Sequence, residues 1–226
     1  MVNKVKLGAL GIIIAAGVIG LLWAPLFGGL PGQDEKVIPR QASKWHMGKG
    51  AQYNPIMYYA ISTDEREFSA KLSFISEPES QIRVEIHDSK SGKQISQTVP
   101  INSAYTFGEV TGDAKPYFAA LDQTIFSVRD LALEDKYLVK QAVWGTIFVG
   151  ALKKEIIVTD HDKVSFQFGT ANAFTVSYNL DDKESRLWVV DNLPLPVKAE
   201  VYDEDGNLGY IYELTSLEAP LTPGFS

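Results

Sequence analysis

The chain has 226 residues, of which 45% are hydrophobic and 11% aromatic, a composition typical of a folded protein. Its formal net charge is −7, and a surface of that sign repels the phosphates of nucleic acids, so nucleic-acid binding is excluded as a function. The absence of cysteine excludes disulfides, thiolate zinc sites and cysteine nucleophiles, although it does not identify the redox compartment.

The first element is an uncharged stretch of 23 residues, 7–29. A helix of that length spans about 35 Å, enough to cross a hydrocarbon layer of about 30 Å. A cleaved signal peptide is the alternative, but its apolar region is usually about 7–15 residues long and ends at a small-residue cleavage site. We therefore predict a retained membrane anchor, with contacts to the bilayer at Leu7, Ile13, Leu21, Trp23 and Phe27.

Charges on both sides of this stretch bear on its orientation. Lys4 and Lys6 favour a cytoplasmic N-terminus, whereas the basic residues between Lys36 and Lys49 favour the reverse. Long domains cross the membrane largely regardless of flanking charge. We therefore predict a cytoplasmic N-terminus over 1–6 and a single-pass protein of the cell membrane whose C-terminal domain is extracytoplasmic.

A polar segment at 30–44, interrupted by two prolines, predicts a linker between the anchor and a folded domain. Its last 14 residues extend at most about 46–50 Å, so the domain is expected to stay near the bilayer. We predict this domain over 45–217, followed by a flexible tail over 218–226 that contains two further prolines.

Period-two alternation of apolar and polar residues predicts β-strands throughout the domain. It is clear over 68–74 and 82–86, and a turn with Gly92 follows. Seven further strands are predicted at 142–150, 155–159, 164–168, 174–179, 186–190, 197–203 and 210–216. Their short connections, including a turn predicted at 160–163, imply antiparallel neighbours.

Two stretches, 116–123 and 130–140, do not alternate, and either could form a short helix. The predicted fold class is therefore mainly β. It combines one N-terminal transmembrane helix with an antiparallel β-sandwich or half-open curved barrel that carries one or two short helices.

Two short motifs contain residue types that bind metals. His46 and Met47 offer an imidazole and a thioether to copper, and Asp160, His161 and Asp162 offer an imidazole and two carboxylates to a cation. Aromatic packing at the start of the domain explains the first motif without a metal, and a solvated turn explains the second. No hydrolase, zinc-protease or nucleotide-binding motif occurs, so we predict a protein that is not an enzyme and has no cofactor.

Aromatic residues are frequent in the second half of the domain, where they either line a pocket for an apolar ligand or pack in the core. These residues are Phe166, Phe168, Phe174, Tyr178, Trp188, Tyr202, Tyr210 and Tyr212.

Residues 185–214, SRLWVVDNLPLPVKAEVYDEDGNLGYIYEL, contain a tryptophan strand, a Leu-Pro break, a Val-Lys-Ala-Glu strand and an Asp-Gly hairpin. In this order they resemble the closing strands of the lipoprotein-carrier half-barrel family. The resemblance implies a curved antiparallel sheet that holds acyl chains in its concavity.

Three segments, TIFSVRD at 124–130, WGTIF at 144–148 and LPLPVKAEVYD at 193–203, carry a second resemblance. With them, most of the domain resembles uncharacterised single-anchor surface proteins of ammonia-oxidising archaea. This resemblance implies a location and a fold, and no activity.

The sequence leaves three functions open. The first is a membrane-tethered, non-catalytic recognition or accessory domain of the cell envelope or a membrane complex, with the lipid bilayer and a membrane protein as partners. The second is a carrier or binder of an apolar, lipid-like ligand, which an elongated apolar cavity of several hundred Å³ would favour. The third is a metal-dependent enzyme, which convergence of His46 or His161 with carboxylates would favour.

Overall fold

The computed structural model describes residues 43–150, 152–180 and 182–218. The predicted anchor at 7–29, nearly all of the linker and the tail from residue 219 onward lie outside these residues. Within them, no helix is both long and apolar enough to cross a membrane.

Ten strands of the described chain form one antiparallel sheet, and two short strands form a separate ribbon. The ribbon pairs β1 (Lys44–Trp45) with β6 (Lys136–Tyr137). The strands of the sheet are β2 (Ile56–Thr63), β3 (Glu67–Ile75), β4 (Gln81–Asp88), β5 (Lys93–Pro100), β7 (Val143–Val149), β8 (Leu152–Phe166), β9 (Gly169–Leu180), β10 (Lys183–Val189), β11 (Lys198–Tyr202) and β12 (Leu208–Glu218).

The strand order in the sheet is β5-β4-β3-β2-β12-β11-β10-β9-β8-β7. Each strand therefore pairs with its neighbour in sequence, as short connections require, except where β2 pairs with β12 and joins two meanders. The outer strands β5 and β7 do not pair with each other, so the sheet is open rather than a closed barrel. This arrangement confirms the mainly antiparallel β fold.

Two contacts across the sheet show that it is strongly curved. The backbone N–H of Gln167, at the turn between β8 and β9, donates to Glu213 Oε1 of β12 at 2.9 Å. Near the β7–β8 turn, a Cβ on Gly150 would lie 1.6 Å from Glu204 Oε2, whose residue follows β11. Strands that are not neighbours in the sheet are thus brought into contact. All ten strands belong to this one sheet.

Helix α1 (Lys115–Gln123) packs on the apolar face of the sheet, and the short helix α2 (Arg129–Ala132) follows it. Pro116 starts α1 without loss, because the first helical N–H groups have no partner within a helix. Phe118 buries its ring edge-to-face against Phe107, with the centroids 5.0 Å apart. The helix predicted at 116–123 is confirmed. In the second stretch, 130–140, only the first three residues are helical.

The turn predicted at 160–163 is wrong, because these residues lie inside the 15-residue strand β8. A register shift between Val158 and Asp160 lets the strand continue. Aspartate favours turns, but here it lies on an exposed part of a strand, where its side chain stays hydrated. Strands β2 and β5 were not predicted.

Candidate functional site

An apolar groove of about 280 Å³ lies between the α1–α2 connection and the second meander of the sheet. The groove is bounded on the helical side by Ser127, Val128 and Leu131. On the sheet side it is lined by residues of β7 to β12, namely Trp144, Ile147, Phe148, Val149, Ile156, Val176, Tyr178, Ser185, Arg186, Leu187, Val201 and Tyr210. Arg186 is its single charged residue.

Strand register brings most of the lining residues onto one face of the sheet, whereas Phe148 and Arg186 each lie between two of them on a strand and project from the other face. Val176 of β9 lies directly opposite Leu187 of β10, and Val201 of β11 lies directly opposite Tyr210 of β12. Directly opposed residues of antiparallel strands project from the same face. Apolar side chains from distant parts of the sequence therefore meet in this groove.

The helical wall is fixed by contacts on both sides. The Arg129 guanidinium forms a two-pronged ion pair with the Asp122 carboxylate, with one Nη2 to Oδ2 distance of 2.9 Å, and so ties α2 to α1. The carbonyl of Ala132 accepts a hydrogen bond of 2.8 Å from the backbone N–H of Met47. Leu131 is thus held over the sheet by a constrained helical turn.

Polar groups in the groove already have partners. The hydroxyls of Ser127 and Tyr210 are 3.2 Å apart, and Ser185 Oγ accepts a bond of 3.0 Å from the backbone N–H of Tyr202. The Arg186 guanidinium donates two bonds to one Glu184 oxygen. Little hydrogen-bonding capacity is left for a polar ligand.

Burial also affects the two phenols that line the groove. It raises the pKa of Tyr210 to about 12 and raises the pKa of Tyr178 above its usual value. Both phenols therefore remain neutral at physiological pH.

Phe148 at the rim is 73% exposed, the largest exposure among the large apolar residues of the described chain. An exposed aromatic ring beside an apolar groove is typical of a binding surface.

The structure places His46 and Met47 in different environments. His46 Nδ1 lies 3.1 Å from Asp135 Oδ1, and Lys44 Nζ lies 3.4 Å from Asp135 Oδ2. These neighbours, His46 first, hold the pKa of Asp135 below its usual range. Met47 is buried in the core. The two predicted ligands are therefore separated, one near the surface and one inside.

The second predicted metal motif lies along β8. Asp160 Oδ1 accepts from Lys140 Nζ at 2.9 Å, and the His161 ring stacks on Phe174 with the centroids 3.9 Å apart. Asp162 is exposed on the same strand. In the described residues, no three histidine, aspartate or glutamate side chains form a group that could hold a metal ion.

Two of the eight predicted aromatic residues, Tyr178 and Tyr210, line the groove. The others lie elsewhere; for example, Trp188 has Lys198 Nζ 5.6 Å from its ring centroid, and Tyr212 is buried in the core. Sequence reasoning missed the aliphatic lining residues such as Leu187. Their only signal was the alternation that marks the inward face of a strand.

Comparison with known proteins finds no matching family model and no matching curated protein. Among solved structures, MucB in complex with MucA(peri) is similar with a TM-score of 0.43 and 10% identity, over 78% of this chain and 54% of that chain. A second MucB structure gives a TM-score of 0.39 and 11% identity, over 78% and 57%. This chain thus spans just over half of the MucB chains.

A putative exported protein with a YmcC-like fold from Bacteroides fragilis gives a TM-score of 0.33 and 12% identity, over 78% of this chain and 99% of that chain. These are distant likenesses of the fold. They do not show an archaeal origin, and the resemblance to archaeal surface proteins stays a prediction.

Proposed function

We propose that this protein is a membrane-tethered, extracytoplasmic, non-catalytic domain that binds an apolar, lipid-like ligand in its groove. The observation that carries the proposal is the lining of the groove, where ten of the fifteen residues are aliphatic, phenylalanine or tryptophan. Burying such side chains against a ligand is favourable by about 25 cal/mol per Å² of apolar surface removed from water.

The size of the groove limits the ligand. Its volume of about 280 Å³ lies just below the range of about 300–1,000 Å³ for sites that hold drug-sized molecules. A single acyl chain or one apolar side chain of a partner fits this space better than a bulky lipid. We propose a single hydrocarbon chain, because the polar groups of the groove are already hydrogen-bonded within the protein.

The tether is the second component of the proposal. The uncharged stretch 7–29, with Lys4 and Lys6 before it, supports insertion as a membrane anchor with the domain on the extracytoplasmic side. A domain held within a linker's length of a bilayer meets hydrocarbon chains at high local concentration. The groove and the tether therefore support the same function.

Native mass spectrometry of the detergent-solubilised chain tests ligand binding. We expect an apolar molecule of acyl-chain type to remain bound to the wild-type protein. Leu187→Arg, which places a charge in the groove, and Val201→Trp, which fills it, should both lose this molecule. Leu208→Arg is the matched control, because Leu208 is exposed and lies outside the groove lining.

Circular dichroism of each variant checks that the sheet has formed. Retention of the bound molecule by both folded groove variants would contradict the proposed site. A wild-type protein that carries no bound molecule, even after incubation with oleic acid, would contradict the proposed function itself.

A further inference from the structure

Residues 136–154, here called the lysine strip, differ in charge from the rest of the chain. The strip contains four lysines and no acidic residue, whereas the remaining chain has 17 basic residues against 28 acidic ones. It runs from β6 through the edge strand β7 to the start of β8. The strip is thus a basic segment of a strongly acidic protein.

The lysine strip also exposes apolar side chains. Seven large apolar residues of the described chain are exposed, and four of them, Tyr137, Val143, Phe148 and Leu152, belong to the strip. Val143 and Phe148 are 51% and 73% exposed. Exposed aromatic and aliphatic side chains interspersed with lysines are the pattern by which peripheral segments bind the interface of a bilayer.

Several lysines of the strip are available to an external anion. Lys140 pairs with Asp160, but Lys136, Lys153 and Lys154 form no ion pair with any other described residue. Two acidic residues flank the strip in sequence: Asp135 pairs with Lys44 and His46, and Glu155 lies opposite Thr146 of β7. Basic side chains near a bilayer are attracted to anionic headgroups within about one Debye length, roughly 8 Å at physiological ionic strength.

The strip begins where the chain enters the domain. Lys44 of β1 is paired with Tyr137 of β6, and Trp45 with Lys136. Only residues 30–43 separate this ribbon from the proposed anchor at 7–29. The end of the strip that pairs with β1 is therefore joined to the bilayer by a short segment, which reaches at most about 46–50 Å.

We infer that the lysine strip is a docking surface for a lipid bilayer that contains anionic headgroups. Phe148 and Leu152 project from opposite faces of the β7–β8 hairpin and enter the interface together at its tip. This inference rests on the proposed tether and adds an orientation to it. Because Phe148 also forms the rim of the groove, a docked domain would present the groove opening to the hydrocarbon region from which a ligand enters.

Site-directed spin labelling tests the orientation, and the natural absence of cysteine makes each label unique. The whole chain is reconstituted into phosphatidylcholine vesicles with and without phosphatidylglycerol, carrying Phe148→Cys, Leu152→Cys or the control Thr98→Cys. Thr98 is exposed on β5, the opposite edge of the sheet. Electron paramagnetic resonance then measures the access of oxygen and of a water-soluble nickel complex to each nitroxide.

We expect the labels at 148 and 152 to show a several-fold higher ratio of oxygen to nickel access in the anionic vesicles than the label at 98. Adding Lys153→Glu and Lys154→Glu should abolish this increase. Lys90→Glu with Lys115→Glu, which makes the same charge change at exposed positions outside the strip, should preserve it.

Equal nickel access at 148 and 98 in a vesicle-bound chain would overturn the docking surface and leave the tether intact. A chain that does not float with the vesicles would overturn the tether, and the docking inference with it. Shielding of the label at 148 only in native membranes, and not in anionic vesicles, would indicate a protein partner and would also overturn the inference.

Discussion

The rings of Tyr59 and Tyr212 pack edge-to-face in the core with their centroids 6.0 Å apart, yet their hydroxyls differ in hydrogen bonding within the described residues. Tyr59 donates to the carbonyl oxygen of Pro196 at 2.8 Å. The Tyr212 hydroxyl has no hydrogen-bond partner within the part of the chain that the structure describes, although Tyr212 is 1% exposed. A pair of similar residues thus differs in one polar interaction.

This difference predicts opposite effects of removing each hydroxyl. Tyr212→Phe should raise the free energy of unfolding by about 1 kcal/mol, because an unpaired buried hydroxyl costs about 1–3 kcal/mol. Tyr59→Phe should lower it by about 1–3 kcal/mol, because the Pro196 carbonyl loses its donor. Urea unfolding followed by circular dichroism measures both. A loss of stability with Tyr212→Phe equal to that with Tyr59→Phe would contradict the assigned contacts.

The Asp88 carboxylate predicts a loss of stability in acid. It accepts hydrogen bonds from the Tyr117 hydroxyl at 2.6 Å and from the backbone N–H groups of Lys90 and Ser91 at 3.0 Å each. These bonds, that of Tyr117 first, hold the pKa of Asp88 well below its ordinary value of 3.8. Because the pKa of Asp88 is lower in the folded state than in the unfolded state, the stabilisation is complete at pH values above 3.8. It is lost progressively as the pH falls from 3.8 toward the lower folded-state pKa.

Asp88→Asn should therefore lower the melting temperature at neutral pH and have a progressively smaller effect as the pH falls below about 4. Tyr117→Phe removes one donor and should weaken the same pH dependence. Thermal unfolding between neutral pH and strong acid measures the difference. A gap between wild type and Asp88→Asn that is constant with pH would refute the role of the carboxylate.

Gly48 is predicted to tolerate no side chain. It has a φ of 89° and donates its backbone N–H to the Pro194 carbonyl at 2.7 Å, and a Cβ there would lie 1.4 Å from the Tyr105 hydroxyl. Gly92 has a φ of 70° but no atom within 4 Å of its Cβ position. Both alanine variants suffer backbone strain of about 1–2 kcal/mol, but only Gly48→Ala must also displace Tyr105.

Gly48→Ala should consequently lower the free energy of unfolding more than Gly92→Ala does. Denaturant titration of the two variants side by side measures this difference. Equal losses would show that Tyr105 moves aside without cost.

The sequence predicted most of the second meander because its alternation reports local burial. Val176 and Leu187 each lie in a predicted strand, but their meeting depends on register, which no local pattern specifies. The same limit explains why the prediction of a turn at 160–163 is wrong: a register shift extends β8, and such a shift has no signature in the residues themselves.

The groove could be predicted only in part for a related reason. Tyr178 and Tyr210 were recognised as candidate pocket residues because aromatic side chains are conspicuous in strands. Leu131 and Val149 were not, because their placement depends on how α2 packs on the sheet and how far the sheet curves. Both are consequences of tertiary packing over long sequence distances.

Photo-crosslinking from within the bilayer tests the central claim most directly. The whole chain is reconstituted into vesicles that contain a fatty acid with a photoactivatable diazirine on its acyl chain, illuminated, digested and analysed by mass spectrometry. We predict crosslinks at 7–29, where an anchor meets lipid, and also at groove residues such as Leu131, Leu187 and Val201. Crosslinks at 7–29 with none in the groove would contradict the binding of an apolar ligand there.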